Sequence, residues 1–448
     1  MESSGAEGDG EGSEDSHRKH ITNEMIELET ILERGNLNRA FKAVVANKGS
    51  AGVDGMEVGD LLAYLKVQGA DLVKSIKEGR YKPSPVRRVF IPKENGEKRP
   101  LGIPTVVDRF VQQATAQVLM QEYESVFSDS SHGFRPKRSC STAMDQALRH
   151  ANEGYRWVVD LDLAKFFDTV NHSKLLQVMA NRVKDRRVIR LIHRMLRAPV
   201  SQNGKTEKRE IGTPQGGPVS PVLANILLNE LDHELETRGH RFVRYADDMM
   251  IFCRSKKAAY RTLERIKPFI EGKLFLKVNE EKTKVRYIAD SDVKFLGFGF
   301  WQQYDKKSGG TVIKDRPHQK SLAKCKDKLR ELTARNRGQS LDGFRRKLKE
   351  FVRGWMGYFG RSSLGNFVRN TDQWLRRRIR QIYWKQWKKV SMRYRALRRL
   401  GMSDGKAWEW ANTRKSYWRV ANSWILSTTL TNDFLRSKGW MCLADALR

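Results

Sequence analysis

At 448 residues the chain is about three times the size of an average domain, so it has room for two to four domains and a sizeable core, and it is no peptide module. Hydrophobic residues at 39% with 9% aromatics exclude global disorder, and no run approaches the eighteen or so uncharged apolar residues of a membrane span, so a soluble protein without a membrane partner is expected. The 85 Lys and Arg against 52 Asp and Glu leave a net charge of +33, which points to a polyanion as partner.

In chain order, residues 1–20 carry Glu2, Glu7, Asp9, Glu11, Glu14 and Asp15 among Gly and Ser. They are expected to form a disordered acidic tail, without the basic and apolar regions of a signal peptide. Asn23 to Leu37 reads as a helix, and Asn47 to Gly55 as a glycine-punctuated loop. A strand pair follows, Val86 to Pro92 and Lys98 to Ile103, around a Glu94-Asn95-Gly96 turn, with Pro100 and Pro104 limiting its regularity. Val106 to Phe127 has helical periodicity, with Val107, Phe110, Val111, Ala114, Val118 and Leu119 on one side. Trp157 to Asp162 is a β-branched strand. Pro221 to Arg238 is an amphipathic helix with Leu223, Leu227, Leu231 and Leu235 in register. Phe242 to Phe252 reads as a buried hairpin with Asp247 and Asp248 at its turn.

From His318 onward the sequence is mostly helical and basic. Its 32 Lys and Arg against 9 Asp and Glu supply +23 of the total charge, and it holds nine of the eleven tryptophans: Trp355, Trp374, Trp384, Trp387, Trp408, Trp410, Trp418, Trp424 and Trp440. Basic residues interleaved with aromatics suit phosphate neutralisation with base stacking; the competing reading is tryptophans filling helical cores beneath a solvated basic face. Mixed sheet and helix followed by a helical appendix is an α+β architecture. Cys140, Cys253, Cys325 and Cys442 are too far apart for a C-x-x-C pattern, so free thiols in a reducing compartment are expected and a zinc site is not.

The chemistry is carried by acids. Arg244-Tyr-Ala-Asp247-Asp248-Met-Met-Ile-Phe252 sets two carboxylates inside an apolar segment, where both cannot sit ionised and unpaired. A divalent cation resolves the conflict: two Mg²⁺ about 4 Å apart activate the attacking oxygen and stabilise the leaving one in phosphoryl transfer. The strand ending at Asp160-Leu-Asp162 offers a further acid on one face, with the choice between Asp160 and Asp162 left open by the residues themselves. Lys93 and Arg99 flank the early turn, either as a pair aimed at a triphosphate or as solvated surface charges. Gln215 lies in a Pro-Gln-Gly-Gly loop that lets backbone approach a ligand closely.

Five motifs in one order carry a resemblance: Gly133-Phe-Arg-Pro136, Asp162-Leu-Ala-Lys-Phe-Phe-Asp168, Gly212-Thr-Pro-Gln-Gly-Gly-Pro-Val-Ser-Pro221, Tyr245-Ala-Asp-Asp248 and Phe295-Leu-Gly-Phe298. From about Leu28 to near its end, the chain resembles the reverse transcriptase-maturases encoded by bacterial group II introns. It is most similar to the compact class C members that lack an endonuclease domain. The resemblance implies a right-hand polymerase: residues 21–84 an N-terminal extension and the start of the fingers, 85–317 the fingers and palm, 318–395 a helical thumb or maturase (X) domain, and 396–448 a DNA-binding region. It implies RNA-directed DNA synthesis with two Mg²⁺ held by Asp162, Asp247 and Asp248, and it selects Asp162 over Asp160 by its distance from the Phe-Phe pair.

It further implies that Phe167 excludes the 2′-hydroxyl of the incoming nucleotide, a position that would otherwise read as core packing. Gln215 would line the nucleotide site, and Lys282, by itself a solvated lysine, would donate a proton to pyrophosphate. Arg109, Arg135 and Gly297 would meet template or primer. The implied partners are group II intron RNA, an RNA template with a DNA primer, target DNA and deoxynucleoside triphosphates, in the cytoplasm of a bacterium near its nucleoid. Alternatives from outside this activity are a reverse transcriptase recruited to repair or defence, and a splicing maturase with little polymerase activity.

Overall fold

The protein is described here from a computed structural model over residues 26–92, 96, 98–214, 216–306, 309–336 and 338–447. The acidic tail, Lys93, most of the early turn and Gln215 lie outside those residues. Among the described residues there are ten strands: β1 (Val86–Pro92), β2 (Lys98–Ile103), β3 (Trp157–Leu161), β4 (Val200–Gln202), β5 (Lys205–Glu207), β6 (Arg241–Tyr245), β7 (Asp248–Cys253), β8 (Lys284–Tyr287), β9 (Phe298–Asp305) and β10 (Gly310–Pro317). They alternate with helices, and the chain divides into two compact units, one from residues up to Val126 with Asn171–Ile226, the other from Phe127–Val170 with Leu227 onward.

In the first unit the sheet order is β2-β1-β4-β5, with β1 and β2 antiparallel from Arg87 opposite Ile103 to Pro92 opposite Lys98. The helix Val106–Tyr123 starts where Thr105 accepts the Asp108 N–H at 3.1 Å, and it ends four residues short of the expected Phe127. The single helix expected over Asn23–Leu37 is instead two, Leu28–Leu32 and Arg34–Ala46, separated at Glu33, whose backbone is extended (φ −60°, ψ 137°). The break lets Asn36 turn inward, where its amide donates to Ile31 O at 2.8 Å and Ala114 O at 3.0 Å.

The second unit is built on the antiparallel sheet β6-β7-β3-β8. Strand alternation gives the sheet two covered faces. Val158, Met250 and Phe252 pack with Ala143, Met144 and Ala147 of the helix Cys140–Asn152 and with Phe298 and Phe300 of the β9–β10 hairpin. On the opposite face Cys253 meets Thr262 of the helix Lys256–Gly272, whose Ile266 and Ile270 are buried. β8, β9 and β10, with β4 and β5, were not anticipated as strands.

Beyond His318 the structure is helical, with Leu329, Leu348, Val352, Leu375, Ile379 and Trp384 in one core. The tryptophans divide between core and surface. Trp384 and Trp440 are buried and Trp355, Trp374, Trp387 and Trp410 pack on the same core, whereas Trp408 and Trp424 are exposed. Much of the basic-aromatic interleaving is internal: the Arg377 guanidinium lies 3.7 Å over Trp418 and donates to Trp418 O, Arg378 lies over Trp374 and donates to Thr333, and Arg380 donates to Leu430 O. These arginines are structural fasteners, and burial lowers the pKa of each. The free basic surface includes Lys388 and Lys389, both exposed.

Candidate active site

The strand pairing decides which acids meet. β3 pairs β7 with Asp160 opposite Met250 and Leu161 opposite Met249, so the ladder ends one residue short of Asp162, just beyond β3, and of Asp248, at the start of β7, and the Asp162 charge acts on Asp248. Asp160 lies two residues back, flanked by Met250 on one side and Lys284 on the other. Asp162 is further tied to the segment 277–283: its N–H donates to Thr283 Oγ1 at 3.2 Å and its carbonyl accepts the Asn279 N–H at 2.9 Å. That folding back carries Lys282 to Asp162, with Nζ 3.7 Å from Oδ2.

Asp247 sits in the turn joining β6 and β7, closed by Tyr245 opposite Asp248. The turn holds Ala246 in the left-handed region at φ +59°, costing on the order of 1 kcal/mol that the surroundings must offset. Two contacts do so. Arg244, fully buried, pairs with buried Asp232 through Nε to Oδ1 at 2.8 Å and donates from Nη1 to Ala246 O at 3.0 Å. Gly133 backs the turn from outside: a Cβ there would stand 2.4 Å from Ala246 N and 3.0 Å from the Tyr245 carbonyl carbon. Gly133→Ala should therefore cost about 1–3 kcal/mol of stability by overpacking backbone on backbone; an unchanged midpoint in urea unfolding would show that the loop withdraws freely.

The acids repel one another. Asp248 reaches solvent by area, yet the protein packed around it dominates its ionisation: desolvation raises its pKa to about 6, reinforced by the charges of Asp247, Asp160 and Asp162 and opposed by Lys294. Asp160 is also raised to about 6, first by burial, with Arg286 opposing and Asp162 adding. Clustered carboxylates are hard oxygen donors of the kind that suit a divalent cation. Among the described residues no three or more Asp, Glu, His or Cys side chains are grouped so as to hold a metal ion by themselves; magnesium, which keeps waters and phosphate oxygens as ligands, is commonly held by one or two carboxylates.

Phe167 lies in the short helix Phe166–Thr169 that follows Asp162, half-buried and edge-on to buried Phe166 at 5.1 Å. Gly297 (φ +86°) lies under the Phe359 ring, 3.2 Å from where its Cβ would be, and its carbonyl accepts the Ser321 hydroxyl at 2.7 Å. In the first unit, Arg99 is exposed on β2, and Gly216, beside Gln215, fits against β2 where a Cβ would meet Gly102 O at 2.4 Å.

Two arginines expected to meet template have internal partners. Arg135 is buried, donates to Ser131 O at 2.8 Å and to Ser128 O, and covers Phe127, so it braces the 128–131 loop. Arg109 is also buried and donates to Ser50 O at 2.8 Å, fastening the 47–55 loop, with its pKa lowered by burial. Sequence reasoning missed the Arg244–Asp232 pair; its one signal was a lone Arg inside the otherwise apolar Phe242–Tyr245 strand.

Residues 91–300 match the family described as reverse transcriptase (RNA-dependent DNA polymerase), and residues 322–401 match the group II intron, maturase-specific domain. The group II intron-encoded protein LtrA of Lactococcus lactis subsp. cremoris is 32% identical over 326 residues, 58% of this chain and 54% of LtrA. Protein YkfC of Escherichia coli (strain K12) is 32% identical over 334 residues, 66% of this chain and 87% of YkfC. The chain belongs to the group II intron-encoded reverse transcriptase/maturase family. It spans about half the length of LtrA. Asp160, Asp162, Asp247 and Asp248 all lie within the matched 91–300 region. Among the described residues no helix is long and apolar enough to cross a membrane.

Proposed function

We propose that this family member is an RNA-directed DNA polymerase that also binds the RNA of a group II intron, assists its splicing, and supports mobility by copying RNA from a primer in target DNA. The observation that carries the polymerase reading is the β3–β7 pairing, which brings the ends of the two strands together so that the charges of Asp247 and Asp162 both act on Asp248. Asp162, Asp247 and Asp248 would hold Mg²⁺. When bound there, it would supply activation of the primer 3′-oxygen and stabilisation of charge on the leaving pyrophosphate.

The chain's own residues do the rest. Ala246 and Arg244 hold the two turn carboxylates in place through the buried pair with Asp232. Lys282, exposed and 3.7 Å from Asp162, is the group that donates a proton to departing pyrophosphate. Lys93 and Arg99 bind the triphosphate, and Gln215 the incoming nucleotide. Gly297 serves the primer strand through its place in Phe295-Leu-Gly-Phe298. Residues 85–317 act as fingers and palm, 318–395 as thumb and maturase domain, and 396–448 as the DNA-binding region. Partners are intron RNA, a primed RNA template, target DNA and deoxynucleoside triphosphates.

Phe167 selects deoxynucleotides by filling the space of a 2′-hydroxyl. Phe167→Val should raise the ribo-to-deoxyribonucleotide ratio of kcat/KM by about tenfold or more while leaving the metal dependence unchanged. An unchanged ratio assigns the ring to core packing on Phe166.

A further inference from the structure

We propose that the outer face of the β9–β10 hairpin and the helix Gly365–Gln386 form a pocket for one unpaired nucleobase of single-stranded RNA. The pocket rests on the RNA-binding reading above and deepens it. A cavity of about 280 Å³ is walled by Trp301, Phe367, Leu322 and Leu364, with Arg316 also lining it. The hairpin register explains the lining. Trp301 opposes Lys314 and Gly299 opposes Arg316, so Trp301, Lys314 and Arg316 share a face, while Phe298, Phe300 and Ile313 turn into the core. Trp301 is one of the two tryptophans outside the basic helical region, and the palm acids make no use of it.

Two features of the cavity point to the same ligand. Two aromatic rings, Trp301 and Phe367, line a space smaller than the roughly 300–1,000 Å³ of drug-sized sites, which suits a single planar base. The surrounding charge is cationic: Arg316 and Lys314 are exposed, and Lys326 Nζ lies 5.6 Å from the Phe367 ring centre, so the phosphates flanking a base meet positive charge. An acidic or apolar peptide would use only part of this set, whereas a nucleotide uses the rings and the cations together.

The test uses the purified full chain and fluorescence anisotropy with two labelled strands, a short oligouridylate and the same strand with abasic residues in place of its central nucleotides. Trp301→Ala should weaken binding of the oligouridylate about tenfold and leave the abasic strand unaffected, because stacking is lost while phosphate contacts remain. Trp301→Phe, which keeps a smaller ring, should fall between. Arg316→Gln should weaken both strands and lower the salt slope by about one. Primer extension by Trp301→Ala on a short primed template should match the wild type, showing the chain folded. Wild-type binding with no loss in Trp301→Ala, or equal loss on both strands, overturns the pocket alone. A wild-type chain that binds neither strand overturns the RNA-binding reading and the pocket with it.

Discussion

Asp248→Ala is expected to lower primer extension on an RNA template by at least about a thousandfold without lowering the stability of the fold. The two halves of that expectation have one cause. Asp248 is desolvated and repelled by Asp247, Asp160 and Asp162, which is why its pKa rises to about 6. Removing it relieves repulsion in the free protein, so the unfolding midpoint should stay or rise, as is common where function is maintained at the expense of stability. On the proposed function the same removal would take away a carboxylate that would hold Mg²⁺, an effect of several kcal/mol on the barrier. Extension near the wild-type rate would remove Asp248 from the chemistry.

Asp232→Ala should act in the opposite way, costing about 3–5 kcal/mol of stability because it leaves the Arg244 guanidinium buried and unpaired. Arg244 also links three segments: its Nη1 bonds Ala246 O at 3.0 Å, its N–H donates to Ser130 O at 2.8 Å, and its carbonyl accepts the His132 N–H at 2.8 Å. The double replacement Asp232→Leu with Arg244→Met removes both charges and should recover much of the stability, yet extension should stay impaired because the turn bearing Asp247 has lost its bond to Arg244. Urea unfolding beside primer extension separates the outcomes. Full recovery of activity in the double variant would show that the pair only stabilises.

The sequence patterns that were legible are those in which local chemistry and burial agree. β1 and β2 were bounded correctly because a glycine turn and flanking prolines punctuate them, and the β6–β7 hairpin was legible within a residue at each end because apolar flanks isolate Asp247-Asp248, although the turn is Ala246-Asp247 and Asp248 opens β7. β9 and β10 were less legible because the outer half of β9, Gln302 to Asp305, is polar and largely exposed, although Thr311-Val-Ile-Lys-Asp after Gly309 carries β-branched strand chemistry. β8 is four residues, Lys284 to Tyr287, too short and polar for a periodicity to register. The break at Glu33 has no glycine or proline to announce it and follows from packing of Asn36 against Ala114.

The acids of the candidate site stand out in the sequence by type and spacing, but the closeness of Asp162 to Asp248 comes from the strand pairing. Arginines were least legible. Arg109, Arg135, Arg377, Arg378 and Arg380 look alike in sequence to arginines that bind phosphate, and only burial and acceptor geometry identify them as internal fasteners. A charge count therefore overstates the surface available to RNA in the helical region.

The most direct test of the central claim is extension of a labelled DNA primer annealed to an RNA template by the purified wild-type chain, with deoxynucleoside triphosphates and Mg²⁺, read on a denaturing gel beside Asp248→Ala. Template-length DNA from the wild type, absent when Mg²⁺ is chelated and absent with Asp248→Ala, is the predicted result. A folded wild-type chain that leaves the primer unextended on RNA, or extends it equally well with Asp248 removed, would contradict it.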